Sequence, residues 1–273
     1  MEYEIKPKEK LTLGIAELWQ YRELFYFFTW RDIKVKYKQT VLGFAWALLQ
    51  PLLMMLVFTL FLGNILNFEK LNIKIPYPVY VYSGLIIWNI FSTGVTNAGN
   101  SMVSNANIIK KIYFPRLIIP ISSILVSLFD FVITLFILIA LLLFYRIDIS
   151  FPNLIFFFFL GIIIASISTF GIGSFLAALN IKYRDFRYII PFMVQAMLFI
   201  TPVIYPISIN NKFLTYLFAC NPMYSAVELF RHSITNNPLN IQLIVISSCS
   251  SLLFLLIGLA YFRKTEAYFA DLA

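Results

Sequence analysis

Long uncharged stretches dominate the hydrophobic pattern of the chain. Six segments are strongly apolar and, Asp130 apart, free of Asp, Glu, Lys and Arg; they cover residues 41–65, 79–100, 117–144, 153–179, 189–206 and 241–262. A helix needs about 20 apolar residues to cross about 30 Å of hydrocarbon, whereas membrane-spanning strands are shorter and alternate in polarity. The pattern predicts an all-α membrane protein, with six transmembrane helices forming one domain over residues 1–273.

The segment before the first apolar stretch has a different pattern. Within residues 10–28 the apolar side chains recur at helical spacing, while acidic ones occupy other faces. This periodicity predicts an amphipathic helix that lies in the plane of the membrane interface. A basic connector, residues 31–38, follows it. Anionic lipid headgroups or the surface of a specific partner would both explain those charges.

Residues 207–240 form a third kind of segment. An uncharged run from Phe213 to Val227 is bracketed by prolines and interrupted by Asn221-Pro222. Irregular backbone at membrane depth is tolerated only where protein or a water-filled cavity covers it. We therefore predict a pair of short re-entrant or interfacial helices on the outer face, a candidate outer gate. The alternative is an outer loop that lies on the lipid headgroups.

Composition supports lipid as the solvent. The 273 residues are 60% hydrophobic and 12% charged, with a mean hydropathy of +0.83. Soluble domains carry about 25% charged residues. A water-soluble globular domain is therefore excluded.

The basic residues indicate the orientation. With six spans, 16 of the 21 lysines and arginines fall on the side that holds both chain ends, and 5 fall on the other. Because cytoplasmic loops are enriched in Lys and Arg, we expect both termini on the cytoplasmic side of the inner membrane. These charges are dispersed over short loops and form no single stripe, which argues against a nucleic-acid partner.

The motifs of most enzymes and pumps are missing from the sequence. No glycine is followed by lysine, so there is no phosphate-binding P-loop. A single histidine and two cysteines exclude the usual metal sites, and we expect no metal and no cofactor in this chain. Uphill transport would then need energy from another subunit.

Asp130 is the one ionisable residue within the predicted spans. A charge at a helix centre costs about 2.5–3.5 kcal/mol on insertion scales. Asp130 therefore faces the bundle interior or a polar cavity, or is protonated and hydrogen-bonded to a neighbouring helix.

Several local motifs occur in order along the chain. They are Arg31-Asp32-Ile33-Lys34 with Leu42-Gly43, Trp46 and Pro51; Tyr82-Ser83-Gly84-Leu85 with Trp88; Lys110-Lys111-Ile112-Tyr113-Phe114-Pro115-Arg116; Tyr183-Arg184-Asp185-Phe186; Thr201-Pro202-Val203-Ile204-Tyr205; and Asn221-Pro222. Together they resemble the permease subunits of type-2 ABC exporters, specifically those that export O-antigen, capsular polysaccharide and teichoic acid.

The resemblance implies an assembly. Two copies of the chain would line a channel for a polysaccharide linked to undecaprenyl diphosphate. Two copies of a separate ATPase, which binds ATP and Mg, would dock beneath them, so the chain itself would not be an enzyme.

The resemblance also implies roles for residues. ATPase coupling would involve residues 100–111, with Asn100, Ser101, Ser104, Asn105, Asn107, Lys110 and Lys111. The interface helix and connector would contribute Leu11, Glu17, Arg22, Arg31, Asp32, Lys34 and Lys38. Aromatic channel-lining candidates are Trp46, Trp88, Phe192, Phe199 and Tyr205, and outer-gate candidates are Asn221, Pro222, Glu228 and Arg231. The uncharged, polar character of residues 100–107 also fits a plain cytoplasmic loop.

Two other functions remain open at this point. One is a type-2 ABC exporter of drugs or small lipids. The other is a membrane-embedded glycan-processing enzyme that acts without ATP, although several polar catalytic groups near one membrane face are not evident.

Overall fold

A computed structural model describes residues 15–38, 43–65, 75–147, 151–206, 212–235, 238–266 and Phe269. All regular structure in these ranges is helical. The helices are α1 (Ile15–Gln20), α2 (Arg22–Lys38), α3 (Ala45–Ile65), α4 (Tyr77–Ser104), α5 (Ala106–Ile109), α6 (Ile118–Phe144), α7 (Phe151–Lys182), α8 (Phe186–Ile200), α9 (Lys212–Ala219), α10 (Tyr224–Thr235) and α11 (Ile241–Glu266). The predicted all-α membrane fold is confirmed.

Five of the described helices, α3, α4, α6, α7 and α11, are long and apolar enough to cross a membrane. The helix α4 lies at the centre and packs against α3, α6, α7, α8 and α10. Small residues allow this close packing, since a Cβ added at Gly94 would lie 2.4 Å from Thr169 Cγ2 of α7. By contrast, α3 is peripheral and leaves most of its apolar surface exposed, which suits contact with lipid or with another membrane chain.

The predicted fifth transmembrane helix, residues 189–206, needs correction. Helix α8 has 15 residues and ends at Ile200, and residues 201–206 continue without helical structure. The segment nevertheless runs along most of α4, because Ile190 contacts Gly99 near one end and the Ile204 carbonyl accepts a hydrogen bond from Tyr77 at the other. A short helix and an irregular segment therefore take the place of the predicted long helix.

The N-terminal segment also differs from the prediction. The expected interface helix over 10–28 breaks at Tyr21, and the expected connector is part of the 17-residue helix α2. Phe28, Ile33 and Tyr37 are the buried residues of α2, and α2 packs against α6. Because α2 packs against α6, the helical structure extends through the basic residues 31–38. Residues 10–14, including Leu11, lie outside the described part of the chain.

Helices α9 and α10 form the predicted pair of short helices. The turn between them contains Asn221 and Pro222 and packs against Ser168 of α7 and Ser251 of α11, which lie well inside those helices. The tip of the pair is therefore buried among the long helices, and its placement as a re-entrant segment on the outer face stays a prediction. Of the predicted segment 207–240, residues 207–211 and 236–237 lie outside the description.

Candidate functional site: a polar groove and its supporting contacts

A polar groove with a volume of about 1050 Å³ runs along α4. Helix α4 contributes the largest share of the lining residues, which we call the floor of the groove. Helices α3 and α8 contribute further lining residues. Residues of α2, α5 and α6 also line it, toward the end where α4 gives way to the short helix α5. The charge pattern predicts that this end is cytoplasmic.

The floor of the groove is a stripe of small polar side chains on α4. Its members are Ser92, Thr93, Thr96, Asn97, Asn100, Ser101 and Ser104, which recur at helical spacing. Most of them are bonded to their own helix: Thr96 Oγ1 donates to the Ser92 carbonyl at 2.7 Å, and Ser104 Oγ donates to the Asn100 carbonyl at 3.0 Å. This back-bonding lets a helix carry many hydroxyls at membrane depth, because each proton has an acceptor. Of this stripe, only Asn100, Ser101 and Ser104 are among the residues predicted for a coupling element.

Of the five predicted channel-lining aromatics, the structure brings two to the groove. Trp46 is about half exposed and lines the groove, and Trp88 lines it while almost completely buried. Phe192 and Phe199 are exposed on α8 but do not line the groove. Tyr205 donates a hydrogen bond to the Phe199 carbonyl. Their role in a channel stays a prediction.

Asp130 lies in the interior of α6 and is paired with two residues of α2. Lys36 forms an ion pair with one carboxylate oxygen, and the Tyr37 hydroxyl donates a hydrogen bond to the other. Burial and the bond to the carboxylate both raise the pKa of Tyr37, which keeps this hydroxyl a donor. Of the placements predicted for Asp130, the structure shows the bundle interior with a charged partner. Lys36 is not among the predicted site residues, because residues 31–38 were expected to form a connector and its partner Asp130 is distant in sequence.

Arg31 joins α2 to the end of α4. Its guanidinium donates to Asp32 Oδ1 at 2.7 Å and to Asn105 Oδ1 at 2.9 Å, and it lies over the Phe28 ring at 4.8 Å. Asn105 caps α4 and precedes α5. Residues predicted separately for a connector and for a coupling element therefore form one bonded unit.

The remaining candidates for coupling occupy different environments. Residues 100–104 belong to α4, and only Ala106–Ile109 form a separate short helix. Asn100 accepts a hydrogen bond from Asn180 of α7 at 3.0 Å, and Ser101 is buried. Lys110 and Lys111 are exposed in the following turn. Asn107 lines the groove.

The other predicted residues of the N-terminal segment face outward. Arg22, Lys34 and Lys38 are exposed, and Glu17 is partly exposed. The Lys34 ammonium lies 5.2 Å from the centre of the Trp30 ring. These residues leave a basic and aromatic surface on α1 and α2.

A contact that the sequence analysis missed ties the C-terminal end of α11 to the segment after α5. The Arg116 amide donates to Glu266 Oε1 at 3.2 Å, and Arg263 donates to the other carboxylate oxygen at 2.7 Å. Beside them Phe269 packs edge-on against Phe262. Arg116 and Glu266 are 150 residues apart in the chain, so no local sequence pattern indicates this contact.

Arg231 of α10 is buried and supports the irregular segment after α8. Its guanidinium donates to the carbonyls of Pro202 and Val203 and to the Tyr80 hydroxyl, and stacks on the Tyr80 ring at 3.6 Å. Glu228 lies 3.5 Å from it. Backbone carbonyls without helical partners need such donors at membrane depth. The predicted gate residues Glu228 and Arg231 therefore belong to one bonded cluster with the irregular segment after α8.

Gly84 of α4 lies against Arg231 and Val203 of this cluster. A Cβ built there would lie 2.5 Å from Arg231 Nη2 and 2.7 Å from the Val203 carbonyl oxygen. The motif around Gly84 thus reflects the close approach of α10 and the irregular segment.

Asn221 and Pro222 are held by hydroxyl groups of two long helices. The Asn221 side chain donates to Thr201 Oγ1 at 2.7 Å, and its carbonyl accepts from Ser247 at 2.7 Å. The Pro222 carbonyl accepts from Ser251 at 2.9 Å and from Ser168 at 3.2 Å. The turn between α9 and α10 is thereby bonded at its tip.

The fold and the groove define a multi-pass membrane protein with a polar surface inside its helical bundle. Residues 23–235 match the ABC-2 type transporter family, and the chain belongs to this family.

Several curated relatives cover most of the chain. The O-antigen export system permease protein RfbA of Klebsiella pneumoniae is 29% identical over 244 residues, which are 89% of this chain and 92% of the relative. The protein of the same name from Myxococcus xanthus is 28% identical over 220 residues, 80% and 82% of the two chains. The polysialic acid transport protein KpsM of Escherichia coli is 25% identical over 247 residues, 86% and 91% of the two chains.

Proposed function

We propose that the chain is the membrane permease of an ATP-driven exporter that moves a polysaccharide out of the cytoplasm. The observation that carries this proposal is the match to relatives named for O-antigen export and polysialic acid transport over at least 80% of both chains. The polar groove is compatible with it, since a hydroxyl-rich polymer needs polar groups along its path through a membrane. The substrate is proposed to be carried on undecaprenyl diphosphate.

The assembly that we propose contains two copies of the chain and two ATPase subunits. The exposed apolar face of α3 offers surface for a second copy. The ATPase would contact the coupling element that ends at Lys110 and Lys111, together with the basic surface of α1 and α2. ATP and Mg would be bound by that partner alone.

We further propose that both chain ends face the cytoplasm. The 16 basic residues on that side against 5 on the other support this orientation. The unit joined by Arg31, Asn105 and Asp130 would then lie where an ATPase can reach it from the cytoplasm.

A gene-deletion strain tests this function. Deleting the gene is expected to remove polysaccharide from the cell surface and to leave lipid-linked polysaccharide inside, and a plasmid copy is expected to restore export. Immunoblots of surface-shaved and lysed cells measure the two pools. Unchanged surface polysaccharide in the deletion strain would refute the proposal. Native mass measurement of the purified complex tests the two-plus-two assembly separately.

A further inference from the structure

Three carboxamide side chains converge on the groove from three different helices. Gln50 lies on α3, Asn97 on α4 and Gln195 on α8, and all three are exposed within the groove. In contrast to the hydroxyls of the stripe, none of the three makes a side-chain hydrogen bond to the described residues. Each therefore offers two N–H donors and a carbonyl acceptor to whatever occupies the groove.

We propose that Gln50, Asn97 and Gln195 form a saccharide-binding site that bonds the hydroxyl groups of the transported polymer. This inference rests on the proposed function and assigns the contacts that its substrate makes. A carboxamide matches a sugar hydroxyl because both groups donate and accept.

The charges around the groove favour an uncharged ligand group. Arg31 is paired with Asp32, and Lys36 is paired with Asp130. Each cation thus has a carboxylate within bonding distance, and the other residues that line the groove are uncharged: amides, hydroxyls and apolar side chains such as Trp46 and Trp88. Hydrogen bonding, with little ionic attraction, is then the basis of recognition.

Trp46 supplies the apolar part of the site. Its half-exposed indole lines the same groove as the three amides. Sugar rings have apolar C–H faces that pack on aromatic rings, while their hydroxyls point outward to polar neighbours. The volume of about 1050 Å³ is at the upper end of the range of roughly 300–1,000 Å³ for small-molecule pockets. An open groove of this size accommodates a stretch of polymer.

Photocrosslinking tests which face of α8 contacts the polymer. The photoreactive residue p-benzoylphenylalanine replaces Gln195 in one variant and Ile200, exposed on the opposite face of the same helix and off the groove, in the other. The complete exporter is irradiated in polysaccharide-producing cells, and adducts are detected with an antibody against the polysaccharide. An adduct at position 195 and none at 200 is expected. An adduct at 200 without one at 195 overturns the proposal.

Export measurements with small substitutions give a second test. Gln195→Leu and Asn97→Leu are each expected to slow surface appearance roughly two- to ten-fold, the range of a lost hydrogen bond. The amount of permease in the membrane should be unchanged, because the side chains of Gln195 and Asn97 are both exposed. Gln195→Asn should retain more export than Gln195→Leu, and the control Ile200→Leu, at an exposed position off the groove, should export normally.

The two proposals fail differently. If the deletion strain keeps its surface polysaccharide, the proposed function is refuted. If deletion abolishes export but the Leu variants export at the normal rate, the function stands and the saccharide-binding site is refuted.

Discussion

Lys36 of α2 forms an ion pair with Asp130, which is buried in the interior of α6. The pair joins a helix of the N-terminal segment to a predicted span, and Tyr37 adds a second bond to the same carboxylate. Through Arg31 the same helix is bonded to Asn105, next to the coupling element. Displacement of that element would therefore act on α6 through α2.

Asp130→Ala is expected to lower the free energy of unfolding by about 1–3 kcal/mol, because the Tyr37 hydroxyl loses its buried acceptor. Asp130→Asn, which keeps an acceptor, should cost less. Thermal unfolding of the purified permease in detergent measures both effects. A further comparison uses the single variants Lys36→Met and Asp130→Leu and the double variant that combines them. The double variant should lose less free energy of unfolding than the sum of the two single losses. Strict additivity would contradict the pairing.

Gly84→Ala is expected to destabilise the protein by about 1–3 kcal/mol, since the added methyl group meets a guanidinium and a backbone carbonyl. The matched control is Gly63→Ala, whose Cβ meets only two Tyr77 ring carbons, at 3.3 and 3.7 Å. Size-exclusion profiles after stepwise heating compare the two variants. Equal stability would show that α10 does not approach α4 this closely.

Arg231→Lys is expected to cost about 1–3 kcal/mol, because a lysine cannot serve the Pro202 and Val203 carbonyls and the Tyr80 hydroxyl together. Lys212→Met on the exposed helix α9 is the control. Thermal unfolding and the surface polysaccharide level are measured for both. A lysine variant as stable as the parent would mean that the guanidinium contacts are dispensable.

Reversing both charges at Lys110 and Lys111 is expected to reduce export roughly ten-fold or more through like-charge repulsion at the docking surface. Membrane level and thermal stability should not change, since both side chains are exposed. The control is Lys264→Glu, also exposed near the predicted cytoplasmic end. Surface polysaccharide and ATP hydrolysis by the purified complex are the measurements. Normal export would remove these lysines from the coupling surface.

Local sequence signals were sufficient for much of the fold. Hydrophobic length predicted the helical membrane domain and five of its long helices, because burial in lipid depends only on the composition of each segment. Prolines and the break at Asn221-Pro222 predicted the paired short helices. The expected break between an interface helix and a basic connector was wrong, because α2 packs against distant residues: Ile33 and Tyr37 meet Val126 of α6, and Phe28 packs on Phe114 just before α6.

The sequence by itself determined that the protein lies in the membrane, which segments are apolar and how its charges are distributed. Only the tertiary structure decided the partner of Asp130, the irregular segment after α8 and the polar groove. Those features depend on groups that meet across long sequence separations, such as Arg231 with Tyr80 and Lys36 with Asp130. Buried polar groups need partners at membrane depth, and the packing of the helices selects which residues supply them.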